Sequence, residues 1–296
     1  MATTTGNSIL SVLFKRVVRF ALRTIFLQVR RFGIIPPEQI FRHLYKAGPF
    51  VIVLPNGFHL RLMAWGDRVE NEFFWRGWRG HEPEVMRWWV KFAGDGGDIL
   101  DIGANTGTFA FIAKGTSPRS SVHAFEPLLR IANRIEENGI VSGMDVVVVN
   151  TAVADTEGEC EIFDPGGDNA YSASLDSEFL QGKKNSYPVS VTTIDEYCAQ
   201  QQLSPTLIKI DVEGAEGRVI VGARRTLEKG HCRIICEWLG QPQQNEEACA
   251  ILTQYGYVAL DPTNFQPVDL NKLREFEDRN VLLIHASEIP LLCSAQ

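Results

Sequence analysis

From residue 82 onwards, short apolar runs alternate with stretches whose apolar residues recur at helical spacing. Apolar runs bounded by turn-forming residues are typical of buried strands, and the longer periodic stretches are typical of amphipathic helices. The predicted strands are 99–102, 122–125, 146–149, 207–210, 233–236 and 281–284. The predicted helices are 82–93, 109–114, 128–137, 215–228 and 245–255. This alternation predicts an α/β fold with a doubly wound, mostly parallel sheet and helices on both faces.

Three other stretches depart from this alternation. Residues 50–54 and 58–63 have the pattern of two strands joined by an Asn-Gly turn, which predicts a small hairpin before the main domain. The aromatic-rich connection at 65–78 either covers the sheet or lines an acceptor site. Between 154 and 203 the Gly, Asp, Asn and Ser content predicts a loop-rich insertion near the carboxyl edge of the sheet, where loops commonly carry substrate contacts.

Residues 8–31 have the pattern of a basic amphipathic helix. Four cations interrupt its apolar residues, so there is no run of about 20 apolar residues that would span a bilayer. These cations are Lys15, Arg16, Arg19 and Arg23. Three interpretations fit the pattern: a helix on an anionic membrane, a helix packed on its own domain or a partner chain, and an Arg-rich transit peptide.

These patterns divide the chain into three predicted parts. Residues 1–46 form the basic helical segment, and 47–80 hold the small β element with the aromatic connection. Residues 81–296 form the main domain, with the insertion at about 154–203. With 45% apolar residues, the chain has enough apolar surface to fill an ordinary core.

Charge and cysteine content limit the partners and the location. The net charge is −7, and because the first 46 residues are basic, the remainder is strongly acidic. An acidic body does not suit nucleic-acid binding, which depends on neutralising phosphates. The six cysteines form no CxxC pair and no His and Cys cluster at zinc-ligand spacing. We therefore predict free thiols in a reducing, cytoplasmic compartment and no metal site.

The strongest local motif is ILDIGANTGTFAF at 99–111, in which an apolar strand ends in Asp101 and passes through a glycine-rich turn into a helix. Gly103 permits the sharp turn off the strand, and Asn105 tolerates a left-handed backbone. Gly107 permits close approach of a ligand or of a facing strand. Free N–H groups at the start of the helix favour an anionic group. Alone, the motif does not distinguish one nucleoside cofactor from another, or a cofactor site from a structural turn.

Polar residues at the ends of the next two strands extend this candidate site. Glu126 closes the second strand, where a carboxylate is placed to accept hydrogen bonds from both hydroxyls of a ribose. The alternative is a solvated Glu before Pro127. The third strand ends in Asn150, Thr151 and Ala152, where the loop would pass beside an adenine ring.

The segment LIKIDVEGAEG at 207–217 brings charge to the same sheet edge. Strand alternation would project Lys209, Asp211 and Glu213 to one face. Such residues are costly to bury without a role or partners, and the alternative is a local ion pair with no catalytic role. Glu237, at the end of the next strand, points into the same region by this prediction.

These motifs, preceded by HEPE at 81–84, resemble the FkbM family of S-adenosylmethionine-dependent methyltransferases over roughly 81–239. The family's Tyr-Glu-Pro stretch corresponds to HEP, with His81 in the Tyr position. The resemblance implies a Rossmann-like class I methyltransferase fold with S-adenosylmethionine as cofactor. The residues predicted to bind this cofactor are Glu82, Asp101, Gly103, Ala104, Asn105, Thr106, Gly107, Glu126, Pro127, Asn150, Thr151, Ala152 and Asp211.

The resemblance favours in-line transfer of a methyl group to a hydroxyl on a sugar, lipid or polyketide-like acceptor. The predicted catalytic residues are Lys209, Asp211, Glu213 and Glu237, with Asp211 or Glu213 as the base and Lys209 as an orienting cation. A divalent cation bridging Asp211 and Glu213 is an option that no spacing requires.

Two functions from other classes stay open. A nicotinamide-dependent oxidoreductase would use the same turn and Glu126, although the chain has no Tyr-x-x-x-Lys pair. A catalytically silent methyltransferase-like module would dock on a membrane or partner through residues 8–31. In either case we expect no nucleic-acid partner, and the pattern does not fix the oligomeric state. For the methyltransferase we predict a cytoplasmic location, with contact to a membrane surface through 8–31 as an option.

Overall fold

The computed structural model describes residues 18, 21–30, 33–45, 47–164, 185–239, 242–270 and 280–294. The strands are β1 (Ala47–Val53), β2 (His59–Trp65), β3 (Asp98–Ile102), β4 (Ser121–Phe125), β5 (Val147–Val149), β6 (Ala152–Val153), β7 (Gly158–Asp164), β8 (Asn185–Thr192), β9 (Pro205–Ile210), β10 (Arg233–Glu237), β11 (Tyr257–Leu260) and β12 (Asn280–His285). The helices are α1 (21–30), α2 (Glu38–Phe41), α3 (Arg68–Arg76), α4 (Pro83–Ala93), α5 (Thr108–Thr116), α6 (Leu129–Ser142), α7 (Ile194–Gln201), α8 (Glu216–Val221), α9 (Arg224–Glu228), α10 (Pro242–Gln254) and α11 (Ile289–Ser294).

Seven strands form the central sheet in the order β5, β4, β3, β9, β10, β12, β11. The pairs from β5 to β10 are parallel, whereas β12 runs antiparallel to both β10 and β11. Successive residues of β3 face opposite layers, because Ile99 packs in one core cluster and Leu100 in the other. The six strands predicted from apolar runs all lie in this sheet. The predicted Rossmann-like α/β fold is confirmed.

The predicted helix 215–228 is wrong in one respect, because the structure divides it into α8 and α9. The break falls at Gly222, where a Cβ atom would overlap the carbonyl oxygen of Ala154. Asp195 also donates its backbone N–H to the carbonyl of Gly222 at 3.0 Å. The inserted segment therefore packs against the middle of the predicted helix and interrupts it.

The hairpin of β1 and β2 forms as predicted, and the aromatic connection after it is the helix α3. Phe73, Phe74 and Trp75 are buried in a core cluster that also contains residues of the central sheet. The aromatic stretch therefore covers the sheet, and its rings do not line an acceptor site.

The insertion at 154–203 is only partly described, since residues 165–184, with most of its Gly, Asp and Ser content, lie outside the described residues. The described flanks are more regular than the predicted loops. Strands β6, β8 and β7 form a three-stranded sheet, and α7 follows. Cross-strand pairing of all of β7 with residues 185–191 of β8 supplies the backbone hydrogen bonds that the sequence pattern did not reveal.

The described part of the basic N-terminal segment packs on the domain. Leu22, Phe26 and Leu27 of α1 contact the core, and the guanidinium carbon of Arg30 lies 4.3 Å from the ring centroid of Phe74. Ile25 is 57% exposed. The rest of the segment predicted at 8–31 lies outside the described residues. In the part of the chain that is described, no helix is long and apolar enough to cross a bilayer.

Candidate functional site

A cavity of about 860 Å³ lies at the carboxyl ends of β3, β4 and β9, the edge at which open α/β sheets bind ligands. Its volume is in the range of small-molecule sites. The predicted site residues in its wall are Glu82, Asp101, Gly103, Ala104, Asn105, Thr106, Glu126, Pro127, Thr151, Ala152, Lys209, Asp211, Glu213 and Glu237. The sequence motifs therefore meet in one cavity.

Asp101 is a fully buried carboxylate near the end of β3, opposite Lys209 of β9 in the register of the sheet. It lies near the backbone of Ala110, but neither carboxylate oxygen has a hydrogen-bond partner of ordinary geometry among the described residues. Burial raises the pKa of Asp101 to about 6, although the charge of Lys209 opposes this rise. A buried carboxylate without a partner is costly, so this position calls for a donor from the cavity.

The glycine-rich turn packs against the neighbouring strand end. The N–H groups of Gly103 and Ala104 donate to one carbonyl at the end of β4, at 3.1 and 2.9 Å. Asn105 has the left-handed backbone expected of it, with φ of 51°. A Cβ atom on Gly107 would lie 2.8 Å from Ile135 of α6. Gly107 is therefore required by helix packing, and it does not belong to the cavity wall.

Glu126 follows β4 and is buried. Its Oε2 accepts the backbone N–H of Asn105 at 3.1 Å, and its Oε1 accepts that of Leu128 at 3.0 Å. Burial raises the pKa of Glu126 to about 7. Because each carboxylate oxygen has two lone pairs, both oxygens keep capacity for hydroxyl donors from the cavity.

Asn150 lies beside the cavity and is absent from its wall. Its side-chain amide donates to the carbonyls of Glu126 and Pro127, each at 2.8 Å. Asn150 thus fixes the loop that carries Glu126. The two residues after it, Thr151 and Ala152, do line the cavity.

Lys209 forms an ion pair inside the cavity. Its Nζ donates to Oδ2 of Asp211 at 2.7 Å and lies 4.6 Å from the ring centroid of Phe109. Burial opposes the charged form, but the charges of Asp211 and Asp101 outweigh this and raise the pKa of Lys209. Lys209 therefore stays protonated, and the ion pair considered as an alternative from the sequence is present at the site itself.

Lys209, Asp211 and Glu213 line one cavity, as predicted, but strand alternation does not account for the position of Glu213. Strand β9 ends at Ile210, and Glu213 has φ of 54°. The backbone N–H of Asp211 donates to the carbonyl of Ile102 at 3.0 Å, so pairing with β3 extends to Asp211 and the chain turns after it. The charged residues line the cavity because this turn brings the chain across the strand ends.

The carboxyl groups around Asp211 hold different charges at neutral pH. Burial, then the charge of Asp211, raises the pKa of Glu237 to about 9 and that of Glu213 to about 8. Burial acts in the same direction on Asp211, but Lys209 and hydrogen bonds from Lys209 and Glu237 lower its pKa. Asp211 is thus ionised beside two largely protonated glutamic acids. No group of three or more His, Cys, Asp or Glu side chains that could hold a metal ion occurs within the described residues.

Two buried residues that sequence analysis missed hold these loops in place. Glu216 is fully buried, and its carboxylate accepts the N–H of Gly214 at 2.8 Å and of Leu239 at 3.2 Å, which ties the loops after β9 and β10. Asn138 of α6 donates to the carbonyl of Thr106 at 2.8 Å. The sequence signal that could have identified both residues is a polar side chain on the apolar face of a helix.

Helix α3 supplies a further wall of the cavity through charged residues that the sequence did not single out. Arg68, Glu72 and Arg76 are spaced four residues apart, share one face and line the cavity. Nε of Arg68 lies 2.8 Å from Glu72, and the guanidinium of Arg76 lies 2.9 Å from the carboxylate of Glu38. Oε2 of Glu72 lies 2.7 Å from Nδ1 of His81. The sequence shows the helical spacing of these charges, but the prediction for this stretch was based on its aromatic residues.

Comparison with known proteins agrees with this geometry. A model of the Methyltransferase FkbM domain matches residues 101–259, more than half of the chain. The chain is 34% identical over 145 residues to the 2-O-methyltransferase NoeI of Sinorhizobium fredii, covering 44% of this chain and 59% of that protein. It is 27% identical over 161 residues to the hexuronic acid methyltransferase AglP of Haloferax volcanii, covering 54% and 63%. The chain thus spans about three fifths of the length of these curated relatives.

Solved structures give a weaker likeness. The crystal structure of methyltransferase FkbM from Methylobacillus flagellatus is 16% identical, with 64% of this chain and 44% of that chain covered and a TM-score of 0.37. At such a TM-score, the fold assignment rests on the strand order of the chain itself. From the family match and the convergence of its motifs on one cavity, the chain belongs to the FkbM methyltransferase family.

Proposed function

We propose that this chain is a methyltransferase that uses S-adenosylmethionine to methylate a hydroxyl group of a sugar-like acceptor. The observation that carries the proposal is Asp101, a residue of the cavity wall whose two buried carboxylate oxygens have no hydrogen-bond partner of ordinary geometry among the described residues. A buried carboxylate in this state is satisfied by a cationic donor. The ammonium group at the methionine end of S-adenosylmethionine is such a donor.

The charge of the cavity supports S-adenosylmethionine over a dinucleotide. At the end of the cavity away from Arg68 and Arg76, the ionised carboxylates of Asp101 and Asp211 outnumber the ammonium of Lys209, and Glu213 and Glu237 add carboxyl groups that a cation would favour in the ionised form. A sulfonium and an ammonium group are attracted to such a cluster, whereas the two phosphates of a nicotinamide dinucleotide are repelled by it. The acidic cluster therefore favours the methyl donor.

The remaining cavity residues suit the nucleoside part of this cofactor. Glu126 keeps lone pairs on both oxygens for the two ribose hydroxyls. Thr151 and Ala152 line the cavity beyond the end of β5 and suit contact with the adenine. When bound, S-adenosylmethionine supplies a methyl group on a positively charged sulfur, which is an electrophile for an acceptor oxygen.

The role of the protein is mainly to hold the acceptor in line with the breaking bond. Lys209 fixes the carboxylate of Asp211 through its 2.7 Å contact, so Asp211 is a rigid acceptor for a hydroxyl group. Glu213 and Glu237 are largely protonated at neutral pH, and Glu237 donates a hydrogen bond to Asp211. We propose these four residues as the positioning set at the reacting end of the cavity.

The wall formed by α3 supports a polyhydroxylated acceptor. Arg68, Glu72, Arg76 and Glu38 present charged donors and acceptors to the cavity, which suits sugar hydroxyls better than an apolar lipid or polyketide chain. The names of the relatives, a 2-O-methyltransferase and a hexuronic acid methyltransferase, support the same acceptor class. Contact with a membrane through residues 8–31 has less support, because the described part of that segment packs on the domain.

Transfer of tritiated methyl groups from S-adenosylmethionine tests the proposal. Glucuronic acid and methyl glucoside are the sugar acceptors, and catechol is the non-sugar control. We expect alkali-stable label in a sugar, loss of that label in Asp101→Asn, and an unchanged rate in His59→Gln, which alters an exposed residue of β2. Label that appears only in catechol, or as an alkali-labile ester, would contradict the proposed acceptor class.

A further inference from the structure

His81 and Glu72 form a hydrogen-bonded pair in the cavity wall. Nδ1 of His81 lies 2.7 Å from Oε2 of Glu72, and the two side chains are 23% and 10% exposed. The other carboxylate oxygen of Glu72 accepts a hydrogen bond from Arg68 at 2.8 Å. Among the described residues, Nε2 of His81 has no hydrogen-bond partner. The imidazole is therefore held at one nitrogen, and its other nitrogen remains available.

Local packing fixes this pair. A Cβ atom on Gly80 would overlap the backbone carbonyl of Glu72, so only glycine lets the chain before His81 approach α3 this closely. The ring of His81 meets the edge of Phe73, with centroids 6.2 Å apart. Two independent contacts thus orient the imidazole against the helix that forms the wall.

The pair also lies within electrostatic reach of the reacting end of the cavity. The charges that face the imidazole are Glu72 from α3, which also binds Arg68, and Asp211 from the loop after β9, which also binds Lys209. The positive charge of His81 is one of the factors that lower the pKa of Asp211. His81 and the carboxylate of Asp211 are therefore electrostatically coupled.

The residues predicted from sequence are poorly suited to accept a proton at neutral pH. Lys209 stays charged in its ion pair, and the pKa of Asp211 is lowered. Burial raises the pKa of Glu213 to about 8 and of Glu237 to about 9, so both already carry a proton. A general base has to be unprotonated and also basic enough to accept the proton, and the ionised Asp211 is a weak base because its pKa is lowered.

We propose that His81, oriented by Glu72, is the general base that takes the proton from the acceptor hydroxyl. The inference rests on the proposed function and adds a residue to it. The acceptor oxygen forms a bond to the methyl carbon, and the carbon–sulfur bond breaks with its electron pair going to sulfur. The hydroxyl proton moves to Nε2, and the resulting imidazolium is stabilised by the carboxylate of Glu72, which stays ionised.

This role is specific to a chain with histidine at this position. The family pattern that this sequence resembles has Tyr where this chain has His81. A tyrosine phenol has a usual pKa of about 10 and is protonated at neutral pH, whereas a neutral imidazole accepts a proton there. The substitution therefore changes which group can act as a base.

Nitrogen NMR of histidine-labelled protein at pH 8 tests the pair without any acceptor. The His81 signals are assigned by their loss in His81→Gln. We expect the proton on Nδ1 and a bare Nε2 in the wild type, because the hydrogen bond to Glu72 fixes the tautomer. In Glu72→Met, which keeps side-chain length without an acceptor, this preference should be lost. A proton on Nε2 of the wild type, a doubly protonated ring, or an unchanged tautomer in Glu72→Met overturns the proposal.

Kinetics supply the second test, on the sugar that the tritium assay labels. We expect His81→Gln to lower kcat by about 10²-fold to 10⁴-fold, with the affinity for S-adenosylmethionine within threefold of the wild type and with His59→Gln as the matched control. An unchanged kcat overturns the role of His81 even if the wild type binds the cofactor and transfers methyl groups. Absence of cofactor binding in the wild type would instead contradict the proposed function and leave the tautomer result standing.

Discussion

Gly103 and Asp211 are in backbone contact across the mouth of the sheet, because a Cβ atom on Gly103 would overlap the carbonyl oxygen of Asp211. In addition, the backbone N–H of Asp211 donates to the carbonyl of Ile102, the residue before Gly103, at 3.0 Å. The loops after β3 and β9 are therefore locked together without side chains. This contact places the carboxylates of Asp101 and Asp211 in one cavity.

Replacing Gly103 should separate these loops. Gly103→Ala adds a steric overlap with backbone to the strain of a positive φ of 80°, and we expect a loss of at least about 3 kcal/mol in the free energy of unfolding. Gly143→Ala is the control, since Gly143 has φ of 69° but open space around it, and it should cost only about 1 kcal/mol. Urea unfolding measures both. Equal losses would mean that the contact with Asp211 is not tight.

Asp101 should matter for the ligand and little for the fold. In Asp101→Asn the buried, unpaired charge disappears, so we expect the free energy of unfolding to stay level or rise, while affinity for S-adenosylmethionine falls at least about tenfold. Glu216→Gln is the matched control, because its buried carboxylate accepts two backbone N–H groups. That variant should lose stability. Thermal unfolding and calorimetry separate the two effects, and a destabilised Asp101→Asn would assign Asp101 a structural role.

Binding of S-adenosylmethionine should release protons. The pKa values of Asp101, Glu126, Glu213 and Glu237 are raised to about 6, 7, 8 and 9, so part of this set is protonated at pH 7. A cationic ligand favours the ionised carboxylates, and the affinity should therefore increase as pH rises from about 6 to about 9. Calorimetry in two buffers with different ionisation enthalpies counts the protons. Proton uptake on binding, or a binding enthalpy that does not depend on the buffer, would contradict this prediction.

Glu70 should make the protein less stable at high pH. Glu70 is buried at the start of α3, accepts the N–H of Trp65 at 2.7 Å, and burial raises its pKa from 4.5 to about 7. Because the folded pKa lies above the unfolded value, its contribution is fully present below pH 4.5 and is lost as pH rises through 7. The loss is at most about 3 kcal/mol. Relative to wild type, Glu70→Gln should flatten the decline in unfolding free energy between pH 5 and pH 8; parallel curves would argue against this account.

Much of the fold and of the donor side of the site is predictable from local sequence. The apolar runs predict the strands because strands buried on both faces have little polar content. Gly103, Asn105 and Glu126 are recognisable because a strand-to-helix turn and the strand end after it restrict residue type at fixed offsets. The position of β12 between β10 and β11 is not predictable in this way, since it depends on pairing between distant segments.

The contacts of Glu72 and Glu216 were not predicted, for a different physical reason. His81 and Glu72 are nine residues apart, which is neither a helical nor a strand repeat, and they meet only because the chain turns at Gly80. Glu216 joins two loops that follow different strands, so its role appears only once both loops are placed. Contacts of this kind depend on tertiary packing and leave a weak local signal.

Titration calorimetry of the whole chain with S-adenosylmethionine, and separately with NAD, tests the central claim most directly. The account predicts one S-adenosylmethionine bound per chain, an affinity that falls at least about tenfold in Asp101→Asn, and no measurable heat from NAD. Saturable binding of NAD without binding of S-adenosylmethionine would contradict the assignment of this cavity to a methyl donor. Binding of neither would favour a methyltransferase-like domain without catalytic activity.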